Sequence, residues 1–555
     1  MCCPIVLADS PPMQSFAELT VLIIEPHAGM RASMHNMLNQ CGVSTIEHAV
    51  SSGSAIRPIK AKTFDLILCE YDLGEGQDGQ QLLEDLRHNK LIPLSTIFFM
   101  VTAERSYQKV VSAAELAPTD YILKPFTADT VLERMSRAVE RRAQFLPIYR
   151  LMEQGSLREA VEACAVGEAL DQRYALDFMR LRAELHVTLG EPAIAEPIYA
   201  KLFELRAVAW ARLGLAKSLF FQDRLDEAQD VLLALVEQNR NFLDAYDWLA
   251  KTHEANGQLS QAQQVLQEAA TISPHAVRRL RRLGAIAEKT GDTETAERAF
   301  SQVVSKARFS EFRDPEDHVR LVRMLVTKGD TQQAATVIRD LSRTLGGTGK
   351  GDTCRALSAS MVHAHTGDTA RAVEELGKAV DACRDSLGVS SELKMALAVS
   401  CLANDMENGA TEIMLEVMSN APDNQALSKA MSIFEQAGRA DLAERVSRES
   451  RRRVVDLVSA GAQKAKEGDF RGAVALMVEA VQKLPDNPQV VFNAAVAVLK
   501  CLENLGWDPR LGELARGYIE SARRLDPSNP RLAPLAELYQ VITRKYGLGQ
   551  PRGAR

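Results

Sequence analysis

The chain has 555 residues, which is too long for one hydrophobic core and predicts three or more structural units. Hydrophobic residues account for 46% and charged residues for 25%, proportions that exclude collagen and low-complexity disorder as the main content. The formal net charge of −7 leaves no overall positive field that would attract nucleic acid or an anionic membrane.

In chain order, short apolar runs first alternate with segments that have helical spacing of apolar residues. Met30–Gln40 and Gln80–His88 are two of these helix-like segments. Such alternation indicates a parallel sheet that is covered by helices on both faces. The apolar runs occupy residues 19–26, 64–70, 96–101 and 120–123.

Polar residues stand at the end of each apolar run. In an open parallel sheet, ligands bind beyond the carboxyl ends of the strands. We therefore expect these side chains to form the functional site of this region. They are Glu25, Glu70, Thr102 and Lys124.

Beyond residue 140 the strand signals stop and a repeat of 34 residues begins. Small residues recur at this interval, as at Ala228, Ala262 and Ala296, and large residues fill the space beside them. A glycine stands shortly before the small residue of the second helix, as Gly257 does before Ala262, and supplies the left-handed backbone that ends a helix. Further members of the register are Leu215, Leu249 and Leu283; Ala216, Ala250 and Gly284; and Leu232, Leu266 and Phe300.

This pattern resembles the tetratricopeptide repeat, a helix–turn–helix unit whose stacked copies form a superhelix. The clearest unit is Tyr246–Pro274, and the most regular stretch is residues 209–310. We place an all-α repeat superhelix of about ten or eleven helix pairs at residues 141–546, with Arg531–Tyr546 as a capping helix.

Residues 19–140 resemble the receiver domain of bacterial two-component response regulators, a doubly wound, flavodoxin-like α/β domain with a five-stranded parallel sheet. The segment LIIEPHAGMR corresponds to the acidic pair after the first strand, and DLILCEYDLGEGQDG corresponds to the phosphoacceptor strand and loop. Val101-Thr102-Ala103 matches the switch threonine. The run Tyr121-Ile122-Leu123-Lys124-Pro125-Phe126 matches the switch aromatic, the lysine and the proline that follows it.

The resemblance implies a defined chemistry. In that family an aspartate accepts a phosphoryl group, and Mg²⁺ is held by the acceptor, the acidic pair and a backbone carbonyl. A lysine pairs with the phosphoryl oxygens, and the switch residues then move. By position, the resemblance makes Glu70 the acceptor, Thr102 and Tyr121 the switch, Lys124 and Pro125 the phosphate pocket, and Glu25 with Glu70 the metal site.

Two residues depart from the family pattern. Pro26 replaces the second acid of the pair, which is the direct metal ligand, and Glu70 stands where aspartate is expected. The loss of one carboxylate weakens Mg²⁺ binding, because this cation depends on charged oxygens. Glu70 is longer by one methylene group, and its carboxylate is expected to reach Lys124 directly. Asp72, two residues further on, is the only aspartate that could substitute as the acceptor.

We therefore predict a receiver that accepts phosphate weakly or not at all, with at most a weakened Mg²⁺ site. That Glu70 also imitates the phosphorylated state is a narrower hypothesis, because one carboxylate has less charge and fewer oxygens than a phosphoryl group. Simpler alternatives stay open. Thr102 could merely end a strand, Tyr121 could be an ordinary packing residue, and Glu25 could be a remnant without a role.

Two arginine clusters are expected on helices of the repeat region. Neither cluster stands beside a helix-turn-helix pattern or alternates with aromatic residues, so nucleic acid is not indicated. We expect solvated or inter-repeat ion-pairing faces, with contact to an acidic peptide as the alternative. The clusters are Arg278, Arg279, Arg281 and Arg282, and Arg451–Arg453.

Other features receive structural interpretations. Residues 343–353, RTLGGTGKGDT, lack the spacing of a phosphate-binding loop and are predicted to form a loop between repeats. Trp210 and Trp248 are expected to pack inside the repeats. The nine cysteines are scattered without a CxxC pair, which argues against a zinc site and fits a reducing compartment. The segments at residues 1–18 and 547–555 are predicted to be flexible.

No catalytic triad, metal cluster or dinucleotide fingerprint appears, so we predict no enzyme activity. Our interpretation is a cytoplasmic adaptor of two-component type, in which the receiver regulates or positions a repeat groove that binds a protein or peptide. One alternative is an active phosphorelay regulator that a histidine kinase phosphorylates at the Glu70/Asp72 pocket. The other is a purely structural scaffold. A homodimer through the receiver is left open, and neither nucleic acid nor membrane insertion is expected.

Overall fold

The computed structural model describes residues 16–74, 78–103, 118–206, 208–274, 276–308, 313–384, 386, 388–526 and 529–546. The tail at 547–555 and all of the N-terminal segment before residue 16 lie outside the described residues. The chain divides into two compact units, residues 1–317 and 318–555. Among the described residues, no helix is long and apolar enough to cross a membrane.

The first unit opens with a parallel sheet of five strands in the order β2-β1-β3-β4-β5, which confirms the predicted doubly wound fold. Four strands coincide with the apolar runs. The strand β2 was missed, because it lies at the edge of the sheet and its residues, including Glu47 and His48, are largely solvent-accessible. The strands are β1 (Thr20–Ile24), β2 (Thr45–Ala49), β3 (Leu66–Glu70), β4 (Ile97–Thr102) and β5 (Asp120–Leu123).

Helices cover both faces of this sheet. Apolar side chains of one face, such as Ile23, pack with Met34 and Met135 of two helices. Side chains of the other face, such as Phe98, pack with a different pair of helices, one of which contributes Leu83. The helices are α1 (Ala28–Gln40) and α4 (Ala128–Glu153) on the first face, and α2 (Ser52–Ala61) and α3 (Gly79–His88) on the second.

Helix α4 runs without interruption from the receiver into the repeats. Its first half buries Met135 and Val139 in the core of the sheet. Its second half buries Phe145 and Ile148 in the core of the first repeat. The boundary that we place after residue 140 therefore lies inside a helix of 26 residues.

In the first unit, each repeat helix up to Thr293–Ala307 contacts the helix that precedes it in the chain. The glycines that separate paired helices adopt positive φ, as Gly257 does at 73° and Gly291 at 81°. The helices are α5 (Leu157–Leu170), α6 (Ala175–Thr188), α7 (Pro192–Leu205), α8 (Ala209–Phe221), α9 (Leu225–Gln238), α10 (Leu243–Ala255), α11 (Leu259–Ile272), α12 (Val277–Thr290) and α13 (Thr293–Ala307), and α14 (Pro315–Thr327) begins at its end.

The second unit is also helical, and together the two units confirm an all-α repeat region. The loop predicted at residues 343–353 is mostly wrong: α15 ends at Leu345 and α16 begins at Gly349, because the Thr348 hydroxyl caps α16 by accepting from the Gly351 amide. The helices are α15 (Thr331–Leu345), α16 (Gly349–His365), α17 (Thr369–Arg384), α18 (Ser391–Leu402), α19 (Glu407–Ser419), α20 (Asn424–Gln436), α21 (Ala440–Lys466), α22 (Phe470–Lys483), α23 (Pro488–Leu505), α24 (Pro509–Leu525) and α25 (Leu532–Lys545), the last at the predicted cap.

Candidate functional site

The register of the sheet brings the polar strand ends to one edge. Ile24 pairs with Cys69 on β3, and Glu70 pairs with Val101 on β4. The Lys124 amide donates to the Thr102 carbonyl at 2.8 Å. Parallel strands thus carry the four sequence-predicted residues to a common edge, although they are far apart in the chain.

The ammonium group of Lys124 lies between the carboxylates of Glu25 and Glu70. Its Nζ donates to Oε2 of Glu25 at 2.9 Å and also to Oε2 of Glu70. The Glu25 side chain is fully buried, and the side chains of Glu70 and Lys124 are 8% and 15% exposed. Glu70 therefore already pairs with the ammonium group of Lys124, which would otherwise be available to a phosphoryl group.

The other oxygen of each carboxylate accepts a backbone hydrogen bond. Oε1 of Glu25 accepts from the His27 amide at 2.9 Å, and Oε1 of Glu70 accepts from the Asp72 amide at 3.2 Å. Each of these oxygens consequently has a partner within the protein. All four carboxylate oxygens of Glu25 and Glu70 therefore accept hydrogen bonds from groups of the protein, and one ammonium group lies between the two acids.

These residues do not fit the Mg²⁺ site that the receiver family implies. Pro26 supplies no carboxylate, and Arg31 donates to the Glu25 and Pro26 carbonyls at 2.7 and 3.2 Å, which places a cation beside the acidic position. In the part of the chain that the structure describes, no cluster of three or more acidic, histidine or cysteine side chains could hold a metal ion. A hard cation needs charged oxygens as ligands. Here the cationic groups of Lys124 and Arg31 lie where the metal ion would be expected.

Burial and pairing shift the pKa values of both Glu70 and Lys124. Burial raises the pKa of Glu70, and the hydrogen bond and charge of Lys124 offset only part of this effect. Burial alone would lower the pKa of Lys124, but its hydrogen bonds to Glu25 and Glu70 outweigh burial and raise it. Lys124 is therefore held as a cation at neutral pH.

Asp72 stands apart from this cluster. Its side chain is exposed and accepts from the Gly74 amide at 2.9 Å, which ties it to the turn after β3. Among the described residues, Lys124 forms ion pairs with Glu25 and Glu70 and not with Asp72. The start of α3 lies close to the end of β3, since a Cβ at Gly79 would lie 2.4 Å from the Glu70 carbonyl oxygen.

The residues at the predicted switch positions lie close to the cluster. Thr102 is buried at the end of β4. Tyr121 is half-buried and packs against the core under α2 and α3, where burial and then the neighbouring Tyr71 raise its pKa. Pro125 is exposed and follows Lys124 through a cis peptide bond. Residues 104–117, which follow β4, lie outside the described residues.

The repeats of the first unit form one wall of a cavity at this edge of the sheet. Its volume is about 670 Å³, and Glu70, Asp72 and Thr102 line it from the receiver side. On the opposite side it is lined by the turn after α11, including Pro274, and by Arg279 of α12. Nothing in the sequence indicated this approach, because it depends on how successive repeats stack.

The first arginine cluster confirms the predicted ion pairing between repeats. Arg279 donates through Nε and Nη2 to the Asp247 carboxylate at 2.8 and 2.7 Å. Its charge also reaches α3: burial raises the pKa of Glu84, and the Gln80 side chain and Arg279 partly offset this. Other pairs of the cluster join Arg281 to Asp317 and Arg282 to Glu254.

Comparison with known proteins agrees with both parts of this architecture. Residues 21–136 match the response regulator receiver domain, and residues 243–275 match the tetratricopeptide repeat. The chemotaxis protein CheY-3 of Vibrio cholerae is 28% identical over 123 residues, which cover 22% of this chain and 93% of that protein. The chemotaxis protein CheY of Pseudomonas aeruginosa is 26% identical over 123 residues, which cover 22% of this chain and 98% of that protein.

Solved structures match the same two regions. The receiver domain of the Francisella response regulator 1452 is 20% identical and covers 22% of this chain and 98% of its own, with a TM-score of 0.21. The C-terminal part of a TPR repeat-containing protein from Cytophaga hutchinsonii is 16% identical and covers 44% of this chain and 96% of its own, with a TM-score of 0.36. The chain thus joins a response regulator receiver domain to tetratricopeptide repeats, as expected of a two-component-type signalling protein with repeats for protein interaction.

Proposed function

We propose that this chain is a cytoplasmic signalling adaptor whose receiver does not carry phosphate and instead regulates or positions the repeats that bind a partner protein. The observation that carries the proposal is the Lys124 ammonium held between Glu25 and Glu70. It is the arrangement expected of a pocket whose carboxylates find their hydrogen-bond partners within the protein.

Phosphoryl transfer needs an acceptor oxygen that is free to attack and a cation that neutralises the incoming charge. Both oxygens of Glu70 accept hydrogen bonds, from Lys124 and from the Asp72 amide. Pro26 stands where the receiver family has the second acid of the pair, and it offers no carboxylate to Mg²⁺. Attack by Glu70 would require Lys124 to give up this contact before the phosphoryl group could replace it.

A receiver without phosphate can still act if its pocket has a preset arrangement. The inward packing of Tyr121 and the contact between Glu70 and Lys124 support an arrangement near that of the active state. The repeats are near enough to respond, since Arg279 and Pro274 line the same cavity as Glu70. Helix α4 offers a second, covalent connection between the two regions.

The phosphate-free state is tested by incubating the full chain with Mg²⁺ and a small phosphodonor such as acetyl phosphate, followed by intact-mass and peptide analysis. We expect no adduct on the natural chain. The matched control is the double variant Pro26→Asp, Glu70→Asp, which restores the acidic pair and the shorter acceptor and is expected to gain one phosphoryl group. An adduct on Glu70 or Asp72 of the natural chain would instead establish an active phosphorelay regulator.

Regulation of the repeats is tested by hydrogen exchange. Glu70→Ala removes one carboxylate from the cluster, and we expect faster amide exchange in α10–α12 beside the cavity as well as in β3. Glu47→Ala on the exposed edge strand is the control and should leave α10–α12 unchanged. If Glu70→Ala alters exchange only within the sheet, the receiver is a structural cap and the scaffold alternative is correct.

A further inference from the structure

One face of helix α21 in the second unit lines a groove of about 800 Å³. The lining positions recur at intervals of three and four residues, so they form one stripe along the helix. Leu415 of α19 lies on the other side of the groove. The stripe includes Arg445, Arg448, Arg452, Arg453 and Leu457.

The arginines of this groove are poorly compensated by their surroundings. Two carboxylates, Glu449 and Asp456, share the groove with the four arginines. The pair of Arg452 with Asp456 is 3.6 Å long and solvent-exposed, so it contributes little. In the part of the chain that the structure describes, Arg445 and Arg453 form no ion pair.

Arginines elsewhere in the repeats differ from these. Arg279 and Arg281 form bidentate pairs with carboxylates of neighbouring helices. Arg384 likewise donates to both oxygens of Glu412 in the second unit. Pairing between helices explains these residues as parts of the structure, and no such explanation applies to Arg445 and Arg453. An excess of positive charge in a groove favours an anionic occupant.

We infer that this groove binds an acidic, amphipathic segment of a partner protein. Its carboxylates would pair with the arginine stripe, and its apolar side chains would contact Leu415 and Leu457 between the charges. The inference rests on the proposed protein-binding role of the repeats and specifies the chemistry of the partner.

The composition of the groove distinguishes a protein segment from nucleic acid. Glu449 and Asp456 interrupt the positive stripe and would repel a continuous row of phosphates. Among the described residues, leucine and alanine line the groove, and no aromatic side chain is present there for base stacking. Arg445 and Leu457 are about 18 Å apart along the helix, a length that a partner helix of about 12 residues would match.

The test measures fluorescence anisotropy of a labelled model peptide with the full chain. The probe is a helical peptide of about 18 residues with Glu and Leu on one face. The comparison probes are the same peptide with Gln for every Glu and a single-stranded oligonucleotide of similar length. We expect the acidic peptide to bind at least about tenfold more tightly than the Gln peptide at low salt, and to weaken as salt rises.

The groove is located with matched variants on the same helix. In the double variant Arg445→Glu, Arg453→Glu, the Kd for the acidic peptide should rise about tenfold or more, because attraction becomes repulsion. Arg451→Glu changes an exposed arginine of α21 that does not line the groove, and should alter the Kd less than about twofold. Circular dichroism of each variant verifies that the chain has kept its overall helix content.

Equal binding of the Glu and Gln peptides, equal loss in the double variant and in Arg451→Glu, or preferential binding of the oligonucleotide would each overturn the inference. These results are independent of the receiver. If the peptide binds the groove while the natural chain accepts phosphate, the inference stands and the phosphate-free receiver is wrong. If no phosphate is accepted and the peptide does not distinguish the variants, the groove assignment alone is wrong.

Discussion

The receiver and the repeats of the first unit are stabilised by different physical means. At the end of the sheet, the ammonium group of Lys124 pairs with two buried carboxylates. Between the repeat helices, small residues admit large ones: a Cβ at Gly284 would lie 2.8 Å from the ring of Phe300. The stability of the receiver pocket is therefore sensitive to a change of charge, and that of the repeats to a change of side-chain volume. A substitution that keeps the volume but removes a charge is severe in the pocket, and one that keeps the charge but adds volume is severe in the repeats.

The largest effect is expected from removing the buried cation. Lys124→Met leaves Glu25 and Glu70 facing each other without compensation and should lower the free energy of opening of β1 and β3 by about 3–4 kcal/mol. Hydrogen exchange of the amides of these strands measures it. Adding Glu70→Gln to the same chain should restore part of the loss. If Lys124→Met costs nothing, the cluster does not stabilise the receiver.

The repeats should respond to a single methyl group. Gly284→Ala forces a Cβ against Phe300 and should lower the free energy of unfolding of the first unit by about 2 kcal/mol. Urea unfolding followed by tryptophan fluorescence, with Trp210 and Trp248 in the first unit and Trp507 in the second, measures the change. Gly377→Ala in α17, where a Cβ would meet nothing within 4 Å, is the control and should stabilise its helix by up to about 1 kcal/mol. Equal effects at the two glycines would contradict the role of volume.

A buried ion pair within the repeats sharpens the comparison. Arg279→Met should cost about 1–2 kcal/mol by the same fluorescence measurement, which is less than Lys124→Met. The reason is that the Asp247 side chain is 34% exposed and can regain water, whereas Glu25 cannot. Arg298→Met, which removes an exposed pair with Glu294, should cost less than about 0.5 kcal/mol. If Arg279→Met costs as much as Lys124→Met, the distinction between the regions fails.

The smallest effect concerns pH. Asp65 accepts hydrogen bonds from Thr20 and Arg142, and although its burial raises the pKa, these bonds outweigh burial and lower it. A lowered pKa in the folded state contributes stability at neutral pH that is lost as pH falls below the ordinary range of the carboxyl. Between about pH 5 and 2, the free energy of opening of β1 should therefore fall by about 1 kcal/mol more in the natural chain than in Asp65→Asn. Hydrogen exchange of the β1 amides measures this difference. If the free energy of opening falls equally with pH in the natural chain and in Asp65→Asn, Asp65 has no such role.

Local patterns predicted most of the fold, and topology predicted the meeting of Glu25, Glu70 and Lys124. What escaped prediction has three physical origins. Strand β2 was missed because an edge strand needs no continuous apolar run. The loop predicted before α16 was too long because capping by Thr348 begins the helix early. The approach of Arg279 to the receiver was not predictable, because it depends on the summed stacking of several repeats.

The continuous helix α4 has a consequence for how such proteins can be recombined. Because the same helix is buried at one end against the sheet and at the other against the first repeat, the two ends share one helical phase. Inserting a single residue between Val139 and Phe145 would turn one region by about 100° relative to the other, and inserting seven would nearly restore the phase. A foreign receiver grafted onto these repeats must therefore match in more than its fold. The number of residues between its last core position and Phe145 must also give the same helical phase.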